Sequence, residues 1–357
     1  MKTHEDSRIK IAVIYGGQSS EHSVSCVSAG AIMAHLDPER YEIYPVGITK
    51  DGVWTIGESD PKKLQIVDRR MPEVILTKEL NLSVNPQTKG KFRFNDGQTY
   101  ADVDVVFPVL HGKYGEDGTI QGMLELSGLP YVGTGVLSSA CGMDKEYTKK
   151  LLRVAGLPIG REVIVSGTDT LTAEDKEYLG LPVFVKPARG GSSIGISRVE
   201  QWDDLEQAIT LAREHDDKVI VEAEIIGAEV ECGVLENAQG QLLASVPAQL
   251  LDTNEGEEGF YGFDTKYLDN IVQAKIPADL PEETIELIRS LALRAFRALN
   301  CKGLARVDFF VTDSGPLINE INTMPGFTPI SMYPQVLAAS DISYETLLNE
   351  LIANALA

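Results

Sequence analysis

The chain's 357 residues predict an α/β protein of more than one domain. Two patterns carry that expectation. In the first third, apolar runs of strand length alternate with helix-length segments, as parallel strands with crossover helices require. From about residue 143 shorter strands and helices follow in less regular order, as in small α+β modules. The expected division is residues 1–142, 143–236 and 237–357.

In order, "IKIAVIY", "GGQSSEHSVS" and "AGAIMAHL" read as strand, Gly/Ser loop and helix, and "YEIYPVGIT" as a second strand. Residues 56–100 are polar, carry Pro61, Pro72 and Pro86, and read as an insertion or a set of short hairpins. "VDVVFPVL" is a continuous apolar strand, followed by the loop "HGKYGEDG" and the helix "TIQGMLELSG". Next, "MDKEYTKKLLRVAG" is a helix stopped by Gly156. "LPVFVKP" and "IGISRV" are strands flanking the loop "ARGGSSIG", "WDDLEQAITLARE" is a helix, and "KVIVE" and "AEVECGVL" are strands. The last part holds further strands, the long loop "LDTNEGEEGFYGFDTKY", the helix "PEETIELIRSLALRAFRALN", a hairpin and a terminal helix.

The net charge of −21, from 53 acidic and 32 basic residues, leaves no excess of cations to neutralise a nucleic acid or an anionic membrane. A small phosphate ligand needs only a few positioned cations and stays possible. Cys26, Cys141, Cys232 and Cys301 are scattered, without CxxC or Cys/His metal spacing, and read as core thiols of a reduced compartment. The charged start and the short apolar run "IAVIY" do not make a signal segment, and no stretch approaches a membrane span. These features point to a cytoplasmic protein.

The hairpin "GLARVDFFVTDSGPLINEINTMPG" is mostly apolar, yet it carries Arg306, Asp308, Glu320 and Asn322. Strand alternation puts Arg306 and Asp308 on one face, and Glu320 and Asn322 on one face. A two- or four-residue loop would send positions 308 and 320 to opposite faces; a three- or five-residue loop would bring them together. "TDSGP" suits a three-residue loop with Gly315 left-handed, which predicts that Asp308, Glu320 and Asn322 share a pocket. Two carboxylates and an amide are hard oxygen donors for Mg²⁺ or Mn²⁺, too few for a full protein cage, so phosphate oxygens would complete the shell. A solvent-facing strand edge remains the plain alternative. The following "TMPGF" turn offers exposed backbone N–H groups, a plausible oxyanion contact.

"VKPARGGSSIG" places Lys186 at a strand end before a loop whose glycines admit a phosphate and whose Ser192 and Ser193 add donors. It is not a P-loop, and "GGQSSEH" lacks the third glycine of a dinucleotide fingerprint. "GSSIG" matches a nucleophile elbow formally, but Ser193 does not join a strand to a helix, and the only later histidine is His215 in a solvated run. Lys145, in the first turn of a helix where the dipole disfavours a cation, would be justified by a nearby phosphate. Glu222 and Glu229 flank "AEIIGA", a linker whose backbone could bond a base.

These pieces in this order resemble the ATP-grasp superfamily and, within it, the D-alanine–D-alanine ligase family. The motifs are "GGQSSEHSVS", "LHGKYGEDGTIQG", "VKPARGGSSIG", "FDTKY", "ARVDFF" and "NEINTMPGFTPISMYP", spanning residues 16–334. The resemblance implies an N-terminal α/β substrate domain and two α+β domains enclosing ATP, two Mg²⁺ or Mn²⁺ ions, and often a homodimer. It implies phosphate contacts for Lys145 and Lys186 under the lid "RGGSSIG", which holds Ser192 and Ser193, and adenosine contacts for Glu222, the Ile225 backbone and Glu229. Lys266 would also contact ATP. The residue after Glu222, often polar or charged in the family, is Ala223 here. Asp308 and Glu320 would hold one cation, Glu320 and Asn322 the other.

The implied reaction joins two D-alanine molecules through an acylphosphate, with Arg306 and the Gly326 N–H stabilising the oxyanion. Glu21 would hold the first ammonium, His111 would lie near the first carboxylate, and Ser331 with the Met332 backbone would bind the second. Taken singly, Glu21 also suits a helix start and His111 a satisfied loop histidine. Tyr267 would join Glu21 and Ser192 in closing the site, and it stands where relatives making D-alanyl-D-lactate often carry another residue. D-Lactate or D-serine as second substrate is the alternative within the family, and a non-catalytic nucleotide sensor the alternative outside it.

Overall fold

The computed structural model describes residues 8–191, 194–251, 273–328 and 330–357. Ser192, Ser193, Lys266 and Tyr267 lie outside the described residues. The first part runs β1 (Ile9–Gly16), α1 (His22–His35), β2 (Tyr41–Ile48), β3 (Trp54–Ile56), β4 (Leu80–Leu82), β5 (Lys91–Phe94), β6 (Thr99–Asp102), β7 (Val105–Val109) and α2 (Thr119–Ser127). Next come α3 (Val136–Met143), α4 (Lys145–Val154), β8 (Glu162–Ser166), α5 (Ala173–Leu179), β9 (Val183–Pro187), β10 (Ser197–Val199), α6 (Leu205–Arg213) and β11 (Lys218–Ala223). Then follow β12 (Ala228–Glu236), β13 (Leu242–Ala244), β14 (Ala248–Leu250), β15 (Ala274–Lys275), α7 (Glu282–Ala298), β16 (Leu304–Thr312), β17 (Gly315–Asn322), α8 (Met332–Ala338) and α9 (Tyr344–Leu356).

The first sheet has the order β3-β2-β1-β7, with β2, β1 and β7 parallel. Its strands are apolar on both faces because both are covered. One face packs Ile11, Val13 and Phe107 on α1 and on Leu347, Leu348 and Leu351 of α9; the other packs Ile14 and Val106 on α2. The last helix of the chain thus packs on the first helix and on β7. The polar stretch 56–100 forms short hairpins, with β4, β5 and β6 as a small antiparallel sheet.

The second sheet, β10-β9-β11-β8, is antiparallel. Val183, Val185, Val219 and Val221 face α6, so alternation sends Lys186 and Glu222 to the opposite face. In the third sheet, β15-β14-β12-β16-β17, Val230, Cys232, Val307, Phe309, Ile318 and Ile321 pack on α7. The segment "VLSSACGM", unassigned from sequence, is helix α3; it starts at Gly135 without a side-chain cap.

The hairpin corrects one expectation. Its loop has two residues, not three: Thr312 pairs with Gly315, whose φ is 115°. That loop alone would put Asp308 and Glu320 on opposite faces. A bulge restores them: Phe309 pairs with Ile318 but Asp308 pairs with Glu320, leaving Asn319 as the extra residue. The core demands it. Ile318 and Ile321 are both buried against α7 although three residues apart, which a regular strand forbids. Deleting Asn319 would leave these pairs in plain alternation, but inserting one residue between Glu320 and Ile321 would force Ile321 out of the core or demand a second bulge. For that insertion we expect a loss of about 3 kcal/mol or more in urea unfolding; unchanged stability would mean that burial of Ile321 does not set the register.

Candidate active site

The bulge builds a polar grid on the face away from α7. Across β12, β16 and β17, Glu231 pairs with Asp308 and Asp308 with Glu320; one row over, Gly233 pairs with Arg306 and Arg306 with Asn322. Cross-strand partners share a face, so three carboxylates, a guanidinium and an amide lie together. Arg306 grips Asp308 in a fork, Nε and a terminal nitrogen each donating at 2.7 Å, and pairs with Glu231 at 3.1 Å. Asn322 donates to Asp308 at 2.9 Å.

From α4, Lys145 reaches across to Glu320 at 3.4 Å and donates to the Gly190 carbonyl at 2.9 Å. It is the first residue of α4, where Asp144 accepts from the N–H groups of Glu146 and Tyr147. Its own N–H bonds the Ala188 carbonyl, tying the base of the glycine loop to this helix. Burial would raise the Glu320 carboxyl, but Lys145, Lys186 and Arg306 outweigh it and hold it low. Burial, with Glu231 and Glu320 nearby, pushes Asp308 up to about 7 against the pull of Arg306.

A cavity of about 130 Å³ opens beside the grid, lined by Glu21, His111, Glu116, Lys145, Gly190, Gly191, Arg306, Glu320, Asn322 and the turn Met324–Gly326. The fold therefore brings together Glu21, His111, Lys145, Arg306, Glu320, Asn322 and Gly326 from four separate stretches of sequence. Glu21 is the N-cap of α1 rather than a first-turn residue, and its side chain makes no cap bond. Buried His111 contacts the Met324 carbonyl through Nδ1 at 3.1 Å and the Ser28 hydroxyl through Nε2 at 3.2 Å. Those contacts hold the 324–326 turn against the first sheet.

Gly326 is required by close approach: a Cβ there would lie 2.7 Å from the Ser331 hydroxyl oxygen. Ser331, the N-cap of α8, accepts from the Thr328 N–H at 3.0 Å, and Met332 begins that helix. Asp308 sits just behind the cavity wall, covered by Arg306 and Asn322. Lys186 is ion-paired to Glu222 on the face of the second sheet away from α6. Ile225 lies in the β11–β12 linker and Glu229 in β12.

Three charged residues escaped the sequence reading. Glu231 had a signal, standing two residues after Glu229 on one strand face. Lys149 had one too, four residues after Lys145 on one helix face. Glu116 had none beyond its place in "HGKYGEDG".

Among the described residues no group of three or more His, Cys, Asp or Glu side chains forms a ready metal cage. The fit for a cation rests on donor chemistry: Asp308, Glu320 and Asn322 are hard oxygen ligands on one strand face.

A sheet-lined cleft with lysines on one wall and carboxylates on the other is the layout of an ATP-grasp ligase. Residues 10–134 match the family model for the D-ala D-ala ligase N-terminus and residues 151–353 that for its C-terminus. A D-alanine–D-alanine ligase from Corynebacterium diphtheriae is 72% identical over 352 residues, covering 99% of this chain and 96% of that protein. One from Rhodococcus erythropolis is 58% identical, covering 98% of each. The VanG D-Ala:D-Ser ligase structure from Enterococcus faecalis has TM-score 0.84 at 36% identity, covering 98% of this chain and 99% of that one. The Bacillus anthracis D-alanine–D-alanine ligase complexed with ATP has TM-score 0.73 at 29% identity, covering 98% and 97%. The chain belongs to the D-alanine–D-alanine ligase family. Among the described residues no helix is long and apolar enough to cross a membrane.

Glu116 has a measurable consequence. It accepts from the Gly112 N–H at 2.6 Å, and burial first, then the Glu21 charge, push its carboxyl from 4.5 up to about 8. Between those values the folded protein holds a proton that the unfolded chain has released, so this group makes stability fall as pH rises through that window. Glu116→Gln keeps an acceptor but cannot ionise. Its unfolding midpoint, measured from pH 5 to 8, should decline less with pH than that of the wild type; parallel curves would refute the shift.

Proposed function

We propose that the chain joins two D-alanine molecules into D-alanyl-D-alanine at the expense of ATP, for peptidoglycan precursor synthesis. The observation that carries this is the cavity in which Lys145, Glu320 and Arg306 meet Glu21 and the Gly326 turn. One end suits a polyphosphate, the other an amino acid.

A carboxylate does not condense with an amine directly, because its carbonyl is a poor electrophile. An oxygen of the first D-alanine carboxylate attacks the γ-phosphorus of ATP, ADP leaves, and an acylphosphate results. The amine of the second D-alanine attacks the acyl carbon, inorganic phosphate leaves, and the nitrogen gives up its proton. In our reading Lys145 and Lys186 contact the phosphates, together with Ser193 of the glycine loop and Lys266. Adenosine falls to the linker beside Glu222, the Ile225 backbone and Glu229. Glu21 holds the first ammonium. His111, whose ring nitrogens brace the 324–326 turn, lies near the first carboxylate.

Arg306 and the Gly326 N–H stabilise the tetrahedral oxyanion, and Ser331 with the Met332 backbone receives the second carboxylate. Tyr267 and Ser192 close the site with Glu21, shielding the acylphosphate from water. Two Mg²⁺ or Mn²⁺ ions fit Asp308 with Glu320 and Glu320 with Asn322; when bound they neutralise phosphate charge that would repel the carboxylate. The same reading divides the chain at residues 142/143 and 236/237 and takes the protein as a cytoplasmic homodimer. D-Alanine as second substrate is favoured over D-lactate or D-serine by the 72% identity to a D-alanine–D-alanine ligase.

ATP-dependent formation of D-alanyl-D-alanine, with L-alanine as control, tests the reaction; no dipeptide, or equal use of L-alanine, would refute it. Glu320→Gln removes a charge shared by both proposed cations. It should cut turnover by about a hundredfold or more while the protein stays folded; intact turnover would sink the metal assignment.

A further inference from the structure

Lys149 lies one helical turn beyond Lys145 on α4, is 2% exposed, and has no part in the reaction as described. Its ammonium contacts Glu222 Oε1 at 2.6 Å, while Glu222 Oε2 is ion-paired to Lys186. Strand register explains the second contact. Ile220 pairs with Lys186 and Glu222 with Phe184, so Lys186 and Glu222 are diagonal neighbours on one face. Both carboxylate oxygens are therefore engaged by lysines. The Glu222 carboxyl is held down to about 2: burial would raise it, but Lys149, and after it Lys186, outweigh burial.

Charge counting gives Lys149 its purpose. Lys186 paired one-to-one with Glu222 would be neutral overall and of little use to a polyphosphate. With Lys149 on the other oxygen, the trio keeps a net positive charge, and of its two ammonium groups that of Lys186 is the less buried and acts on Glu320, which lines the cavity. Burying a lysine costs free energy that an apolar side chain beside Leu152 would not, so packing alone does not account for the residue.

We propose that Lys149 is a positioning residue for the nucleotide, taking up the Glu222 carboxylate so that the Lys186 charge stays available to the phosphates of ATP. The inference rests on the reading above that ATP is the phosphoryl donor and that Lys186 meets its phosphates.

The test compares Lys149→Met, Lys149→Gln, Lys149→Arg and the double variant Lys149→Met/Glu222→Gln in the full chain. Readouts are KM for ATP, KM for D-alanine, thermal midpoint, and ATP affinity by calorimetry. Losing one charge near the phosphates should raise KM for ATP about tenfold or more in the Met and Gln variants, with KM for D-alanine little changed. Lys149→Arg should stay near the wild type. The double variant should regain part of the ATP affinity, because a neutral amide in place of the Glu222 carboxylate no longer cancels the Lys186 charge. An unchanged KM for ATP, an equal rise in both KM values, or a double variant weaker than the single would overturn the proposal. Failure of the wild type to make D-alanyl-D-alanine would instead sink the parent reading, and calorimetry with ATP alone would still decide the role of Lys149.

Discussion

The bulge that sets Asn319 aside is the constraint on which the polar face depends. A two-residue turn would otherwise separate Asp308 from Glu320, one on the helix side of the sheet and one on the cleft side. With the bulge, Ile318 and Ile321 both enter the core under α7 while Glu320 stands beside Asp308. The apolar requirement and the acidic one are met by a single irregularity. Hydrophobic burial thus sets the register, and the register assembles the charges.

Electrostatics then divides the cleft into complementary walls. Carboxylates gather on β12, β16 and β17, with Arg306 forked onto Asp308. Lysines approach from α4 and β9, Lys145 bridging directly to Glu320. The first sheet contributes Glu21 and His111 through its βα loops, and the contacts of His111 to Met324 and Ser28 lock those loops to the third sheet. A site assembled at the meeting of three sheets suits a reaction that must hold a nucleotide, two amino acids and a labile intermediate in one enclosed space.

Much of this was legible in the sequence. Parallel strands showed as unbroken apolar runs, and the i, i+2 spacing of Arg306 and Asp308 put them on one face. Gly156, left-handed at φ 67°, follows the last turn of α4, as a helix-stopping glycine should. Asp308, Glu320 and Asn322 share one face as expected, but only Glu320 and Asn322 line the cavity, and the face is made by a bulge, to which the three-residue spacing of Ile318 and Ile321 is the clue, rather than by a three-residue loop. Helix α3 lacks a side-chain cap and is short, so neither start signal nor periodicity marked it. The packing of α9 on α1 and β7 joins distant parts of the chain, which no local pattern encodes. Glu116, Glu231 and Lys149 take their meaning from partners far away in sequence.

The most direct test of the acidic face as a cation site is anomalous diffraction from crystals grown with Mn²⁺ and a non-hydrolysable ATP analogue. Two manganese peaks are predicted, one within bonding distance of Asp308 and Glu320, the other of Glu320 and Asn322. Nucleotide bound in the cleft with no manganese on these three residues would contradict the account.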